Sequence, residues 1–403
     1  MDLLEGSSKK IKKTKAQKIV LTLLIVSIIL CIAIAATLFI MGYMNKEKPY
    51  TIAINGNKVS VGSLGLIQTQ EGEKYLPIKN ICNTFNYQYF NGEYNIAGED
   101  TDKGYINNGK CIIQFFAESE SIYKTEENGI KDYEYYNLEH KIVLYNDDLY
   151  INIKDLNVGM NLIQYYLEDN NQTVIISPEY WIESNEEFLT TNEYIVNDSK
   201  DNLRAMAYGY VIISNNGKYG VINLSKNEVI GNKYNTMKFI EFTKGFIVSN
   251  NDNKYGIINN SGKTEIELQY DNIEVLNYEP LLYKVKKIDS YGVMRQDGSL
   301  INKIAFEDIG YPKDESNNIY FTLIIPESEN IPASIVVKKD RKYGLINLQT
   351  GEEFLPCTLE GIFLVVDKNT NDKYYVAEIE KGQVKTIQQY IDDINKITVN
   401  INR

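Results

Sequence analysis

The chain has 403 residues, enough for two domains, and its 43% hydrophobic and 24% charged content is that of a folded protein rather than a disordered one. It carries 32 Tyr but one Trp and one His, which excludes a three-His copper site and an HExxH zinc hydrolase. A net charge of −12 argues against a nucleic-acid partner, which needs a basic face.

The first 18 residues form a basic tail containing Lys9, Lys10, Lys12, Lys13, Lys15 and Lys18. Ile19 to Met41 follow without a charge, 23 residues in all. At a rise of about 1.5 Å per residue they cross a hydrocarbon core of roughly 30 Å, so 19–41 reads as a transmembrane helix. Positive flanks stay cytoplasmic, which puts the N-terminus inside and the rest of the chain outside, as a single-pass cell-membrane protein. A cleaved signal peptide has an apolar core of only about 7–15 residues. Lipidation would require a small residue before Cys31, where Leu30 stands. An uncleaved signal-anchor is the expectation. Residues 1–48 hold eight Lys and three acids, so −17 of charge lies beyond residue 48. Such an ectodomain meets anionic lipid or wall polymer only with cations between.

From 50 to 177 the sequence predicts a small duplicated α+β domain. Thr51-Ile52-Ala53-Ile54 and Lys58-Val59-Ser60-Val61 flank Asn55-Gly56, a strong hairpin signal. Leu76, Ile78, Ile81, Cys82 and Phe85 fit a strand end running into a short amphipathic helix. Asn91-Gly92 and Asn108-Gly109 mark later turns. The phrase Tyr75-Leu76-Pro77-Ile78-Lys79-Asn80-Ile81 returns as Tyr150-Ile151-Asn152-Ile153-Lys154-Asp155-Leu156, which predicts two half-units sharing one core. Thr173 to Ile176 closes the domain as a strand. Beyond the span, Cys82, Cys111 and Cys357 are odd in number, so no full disulfide framework exists. One Cys82–Cys111 bridge and free buried thiols both remain open.

These paired phrases resemble the copper amine oxidase N-terminal-like domain of Gram-positive surface proteins, over most of 50–177. The resemblance implies an α+β stalk module holding neither copper nor a quinone cofactor. The acidic, Tyr-rich stretch from Glu118 to Glu139 departs from it.

Residues 178–207 read as a linker. From 208 to 385 a 36-residue repeat is expected. Lys218-Tyr219-Gly220-Val221-Ile222-Asn223 returns as Lys254-Tyr255-Gly256-Ile257-Ile258-Asn259 and as Ser290-Tyr291-Gly292-Val293-Met294. Gly209 with Gly245, and Tyr234 with Tyr270 and Phe306, keep the period. A copy at Lys342-Tyr343-Gly344 comes after 52 residues, which places an insertion near 314–331. Lys373-Tyr374-Tyr375-Val376 reads as a decayed fifth copy. In the second copy the strands fall at Phe246–Ser249, Tyr255–Asn259 and Thr264–Leu268. The repeated Tyr is expected to wedge between units, and the Gly after it to allow close backbone approach. One unit cannot bury its apolar face alone, so the copies must stack, as a propeller or a solenoid. Ile387, Tyr390, Ile391, Ile394 and Ile397 predict a capping helix in the tail 386–403.

The repeat resembles WG (KWG-type) repeats, with Tyr in place of Trp and a Y-[DN] phrase at Tyr234-Asn235 and Tyr270-Asp271. That resemblance implies a β-repeat interaction module without catalysis. The repeat-signature residues Tyr219, Gly220, Tyr255, Gly256, Tyr291, Gly292, Tyr343 and Gly344 are structural in this reading.

No catalytic, cofactor or metal residue is assigned. Gly262-Lys263-Thr264 has its upstream glycine one position off the phosphate-loop spacing and reads as a hairpin turn. His140 has Glu139 beside it, but neighbours on a strand point to opposite faces, so Glu139 would not orient it. The acid pairs Asp147-Asp148, Glu186-Glu187, Glu352-Glu353 and Asp392-Asp393 read as solvated turns rather than two carboxylates facing across a cleft. The tyrosines could stack on sugars, although most occupy strand or repeat-core positions. The expected fold is mainly β, with a membrane helix, a duplicated α+β domain and a β-repeat domain. The expected function is a non-catalytic, membrane-anchored binding or scaffold protein of the bacterial envelope, meeting a cell-wall polymer or an envelope protein. The alternatives are a sensory anchor with a separate membrane partner and, more remotely, an envelope carbohydrate hydrolase.

Overall fold

The computed structural model describes residues 48–92, 102–126, 134–197, 199–278, 280–310, 324–325, 327–328, 330–366 and 373–401, with Ser27, Ile32 and Ile34. Apart from those last three residues, which are helical, the expected span 19–41 lies outside the described residues. Among the described residues no helix is long and apolar enough to cross a membrane. The chain divides into two compact units. One comprises residues 1–51 with Leu167–Gln172, and in it Lys48 Nζ donates to the Asp169 carbonyl at 2.6 Å. The other comprises Ile52–Tyr166 with Thr173–Arg403, is mainly β, and holds both internally duplicated regions.

In the first duplicated region, Ile54 faces Asn57 across Asn55-Gly56, whose φ values of 46° and 78° make the two-residue turn that matches strand twist. The repeated phrases pair with each other. Lys74–Pro77 runs antiparallel to Asp148–Asn152 with Leu76 opposite Ile151, both fully buried. Each strand then enters a helix, α1 (Ile78–Phe85) in the first copy and a 3-10 turn into α2 (Leu156–Met160) in the second. Asn86 and Asn161 close these helices at equivalent places in the two phrases. Both are left-handed, a conformation that Asn tolerates. Between the copies lies a five-stranded sheet, Gln88–Asn91, Lys103–Asn107, Cys111–Phe116, Ser121–Glu126 and Glu134–Asn137. Cys82 and Cys111 are buried and no disulfide joins them, and burial pushes the Cys82 thiol up to about 12.

The segment read as a linker contains three helices: α3 (Pro178–Ser184), α4 (Glu186–Thr191) and α5 (Lys200–Ala207). Ser177 caps α3 by accepting from the Tyr180 N–H, with Pro178 at the first helical position, and Ser199 caps α5 through Asn202. The buried Asn202 amide both accepts from the Ile212 N–H at 2.9 Å and donates to its carbonyl at 3.1 Å. The helix is thereby docked onto the first repeat strand.

Five antiparallel sheets follow among the described residues; all but the fourth are meanders, and in the fourth Asp308–Ile309 and Ile324–Ile325 both pair with Ser334–Lys339. The second consists of Thr236–Ile240, Gly245–Ser249, Tyr255–Ile258 and Thr264–Tyr270. It has a leading strand that the repeat pattern did not contain. The first starts at Tyr210–Asn215, the third at Asn272–Tyr278, the fourth at Asp308–Ile309 and the fifth at Gly361–Val366. Most of the expected insertion at 314–331 lies outside the described residues, although Ile324–Ile325 pairs with Ser334 and Ile335.

Apolar side chains alternate along each strand, so both faces of a sheet are buried. Val221, Ile230, Phe246 and Val248 share a core between sheets one and two. Ile257, Ile266, Tyr283 and Val285 fill the next, and Val293, Ile301, Ile335 and Val337 the one after. Leu345, Leu355, Ile362 and Ala377 join sheets four and five, with Ile387 of α6 (Ile387–Ile401) in the same cluster. The other face of the first sheet, Val211, Ile213 and Ile222, packs on Trp181 and Met206 of the three helices and on Ile163.

Candidate functional site

The signature residues build the sheets. Tyr219 lies opposite Tyr234 and Tyr255 opposite Tyr270, Tyr291 bridges to Phe306, and Tyr343 lies opposite Leu359. In the first two pairs the aromatic of the Tyr-Gly phrase thus meets the first residue of the Y-[DN] phrase across a strand pair. In three of these pairs the partner strand bulges just past the glycine. A Cβ on Gly220, Gly256 or Gly344 would come within 2.6, 2.5 and 2.5 Å of the carbonyl oxygens of Ile230, Ile266 and Leu355. On Gly292 it would meet Ile304 Cγ1 at 2.8 Å. The lysine before Tyr-Gly reaches the polar residue after that Tyr's strand partner: Lys218 to Asn235, Lys254 to Asp271 and Lys342 to Glu360. Tyr219, Tyr255 and Tyr291 sit half-buried at the margins of the cores between sheets, and Tyr343 is buried in one.

The candidates for chemistry lie apart. Gly262 occupies a hairpin turn at φ 81°, and Asn259 Oδ1 accepts from the Lys263 N–H. Asp147 is in a tight turn, Glu186 and Glu187 open α4, Glu353 starts a strand, and Asp392 and Asp393 lie on α6. Lys385 takes Asp393 at 2.7 Å.

His140 differs from the expectation. Glu139 and His140 occupy a bend after the strand Glu134–Asn137, so the strand argument does not apply. Glu139 still does not orient the ring, because Asp155 does. The Asp155 carboxylate accepts from the Glu139 N–H at 2.8 Å and the His140 N–H at 3.1 Å, and it lies 2.9 Å from His140 Nδ1. On the far side His140 Nε2 is 3.6 Å from Glu73 Oε2. Glu73 also takes Lys154 at 2.8 Å and Asn152 at 3.1 Å, and these bonds lower its carboxyl pKa. Burial raises that of Asp155, against the hydrogen bonds it accepts. Asp155 fixes the ring through Nδ1, and Nε2 faces the Glu73 carboxylate beyond hydrogen-bond distance.

Nearby, where the first duplicated region meets the repeats, three charges are buried together. Lys124 is fully buried, and Arg204 and Glu241 are nearly so. Lys124 Nζ donates to Asn161 at 3.0 Å and to Glu241 Oε1 at 3.4 Å, with its ammonium 4.4 Å from the Tyr136 ring centroid. Arg204 lies on the same ring at 5.3 Å, and its Nε is 3.7 Å from Glu241 Oε2. The Tyr208 hydroxyl donates to Glu241 Oε1 at 2.9 Å. Burial pushes the Lys124 ammonium below the usual lysine range, opposed by Glu241, and pushes the Tyr208 phenol up.

Above this cluster opens a cavity of about 350 Å³, lined by Tyr208, Glu241, Phe242 and Lys244 from the repeat side and by Lys154 and Asp155 from the other. It is the candidate site. Sequence reasoning missed it, although one signal was present: Lys124 stands two residues after the buried Ile122 on a strand and so shares its inward face.

No protein-family model matches the chain, and no curated protein does. Among solved structures, the WD40 β-propeller domain of Doa1 matches at 8% identity and a TM-score of 0.21, over 69% of this chain and 79% of that one. The Saccharomyces cerevisiae Sqt1 matches at 9% and 0.24, over 71% and 90%. The dihydro-heme d1 dehydrogenase NirN, in complex with DHE, matches at 9% and 0.25, over 70% of this chain and 52% of its own length. Likenesses this distant fix neither the closure of the stack nor an activity.

Proposed function

We propose that the chain is a non-catalytic binding and scaffold protein of the bacterial cell envelope. It is anchored by residues 19–41 and presents a copper amine oxidase N-terminal-like module followed by WG-like repeats. The observation that carries the reading is the mutual pairing of ionisable groups around the junction cavity. His140 lies between Asp155 and Glu73, Lys154 is on Glu73, and Tyr208 and Lys124 are on Glu241. Among the described residues lining it there is no serine, threonine or cysteine, and a cavity on a braced scaffold suits recognition. The anchor rests on the basic tail and the uncharged run. The reading includes a stack open at its first end, because α3–α5 and Ile163 occupy the face that a closing sheet would cover.

The test is co-sedimentation of the full chain in detergent with isolated cell-wall sacculi, with and without calcium. Saturable retention supports the reading, and no retention in either condition transfers it to a protein partner, sought by crosslinking in intact membranes. A second reading, a sensory anchor with a separate membrane partner, rests on the lysines of residues 1–18. Deletion of 2–18 with insertion intact and no phenotype removes it.

A further inference from the structure

The charged side chains around the junction cavity divide into those already answered and those left over. Lys154 is held by Glu73, and Asp155 by His140 and two backbone N–H groups. Glu241 is buried at the floor, where it accepts from Tyr208 and Lys124. Two charges of the wall meet no opposite charge among the described residues, and they differ in sign. Glu139 is exposed on the bend after Glu134–Asn137, with its backbone N–H fixed by Asp155. Lys244 is exposed on the turn that joins Thr236–Ile240 to Gly245–Ser249, with its ammonium 5.1 Å from the Tyr208 ring centroid.

Glu139 belongs to the first duplicated region and Lys244 to the repeats, so they border the cavity from its two sides. An anion drawn to Lys244 is repelled by Glu139, and a cation drawn to Glu139 is repelled by Lys244. A molecule with a positive end and a negative end satisfies both. The two charges of a single amino acid sit on one carbon, too close together to reach both sides. Two residues of extended chain span about 7 Å, which suits a volume of about 350 Å³. Phe242 is 56% exposed on the same turn as Lys244, an aromatic face beside the place where the negative end would lie.

We propose that this cavity binds a free short peptide, a zwitterion of dipeptide size with an apolar C-terminal side chain. Its ammonium meets Glu139, its carboxylate meets Lys244, and its last side chain lies on Phe242. A folded protein brings only one terminus to such a site, so recognition of both ends selects a free peptide. The inference rests on reading the chain as a binding protein and adds the class of molecule bound.

The experiment titrates the full chain in detergent micelles with alanyl-leucine by isothermal calorimetry, with its N-acetyl and its C-terminal amide forms as comparison ligands. Saturable binding of the free dipeptide is expected, about fivefold weaker when either end is blocked. Glu139→Gln should abolish the preference over the acetylated form and keep that over the amide, and Lys244→Gln should do the opposite. Phe242→Ala should weaken all three ligands alike. The altered side chains are exposed, so the variants should keep the parent's circular dichroism and melting temperature. Absence of dipeptide binding overturns the proposal, as do blocked forms that bind as tightly as the free one. Preferences that survive both charge substitutions also overturn it, since the dipeptide would then sit elsewhere. Retention on sacculi without dipeptide binding removes this inference and leaves the envelope reading. Dipeptide binding without retention keeps the inference and removes the wall polymer as partner.

Discussion

The two duplicated regions use internal repetition with opposite symmetry. In the first, the copies face each other, Leu76 against Ile151 across an antiparallel pair, and the arrangement is closed once both are present. In the second, each sheet lends one face to the sheet before and one to the sheet after, so the series has no internal reason to stop. At the front the exposed face is covered by something that is not a repeat, the three helices, while α6 joins the core between the last two sheets. Facing duplication sets its own size, whereas stacked duplication needs caps.

The comparison can be broken most severely where the two regions join. Glu241→Ala leaves Lys124 and Arg204 buried without their common anion and should cost about 4 kcal/mol. Urea denaturation followed by circular dichroism should then resolve two transitions where the parent shows one. A single transition would mean that other contacts couple the regions.

Next come Leu76→Ala and Ile151→Ala, each expected to cost about 3 kcal/mol. Because the two residues share one contact, the double variant should lose less than the sum of the singles. Strict additivity would contradict the facing arrangement.

In the repeats, Gly256→Ala forces a Cβ against the Ile266 carbonyl and should cost about 2 kcal/mol. Gly109→Ala, at φ 82° with open space around it, should cost about 1 kcal/mol through backbone strain alone. Equal melting temperatures for the two variants would remove the bulge as the reason for the glycine.

The smallest effect belongs to the exposed Lys154–Glu73 pair, about 0.5 kcal/mol for Lys154→Ala. Glu73 has a depressed pKa when folded. Its contribution is therefore complete above the ordinary carboxyl pKa and lost as pH falls through the folded one. The variant and the parent should converge in acid, and a gap that persists at the lowest pH would assign the effect to packing.

Local signals carried well to the structure. Asn55-Gly56 reads as a hairpin because both residues tolerate positive φ, and the spacing from Ile387 to Ile391 reads as a helix because its apolar side chains meet one core. The repeat strands were visible because Tyr-Gly keeps its period. The leading strand Thr236–Ile240 was not, since it begins right after the Y-[DN] phrase and lacks a signature of its own. The linker reading overlooked cap signals at Ser177-Pro178 and Ser199. The site was almost illegible. Lys124 and Glu241 are 117 positions apart and meet only when the regions pack, and Asp155 reaches His140 only after the second half-unit turns into its helix.

One consequence follows from where the lone tryptophan sits. Trp181 is 6% exposed on α3, with its indole N–H donating to the Leu224 carbonyl of the first repeat at 3.3 Å. Tryptophan emission from this protein therefore comes from one spot, the seam between the front cap and the stack. Excited selectively, it reports the release of that cap while the rest of the stack stays optically silent.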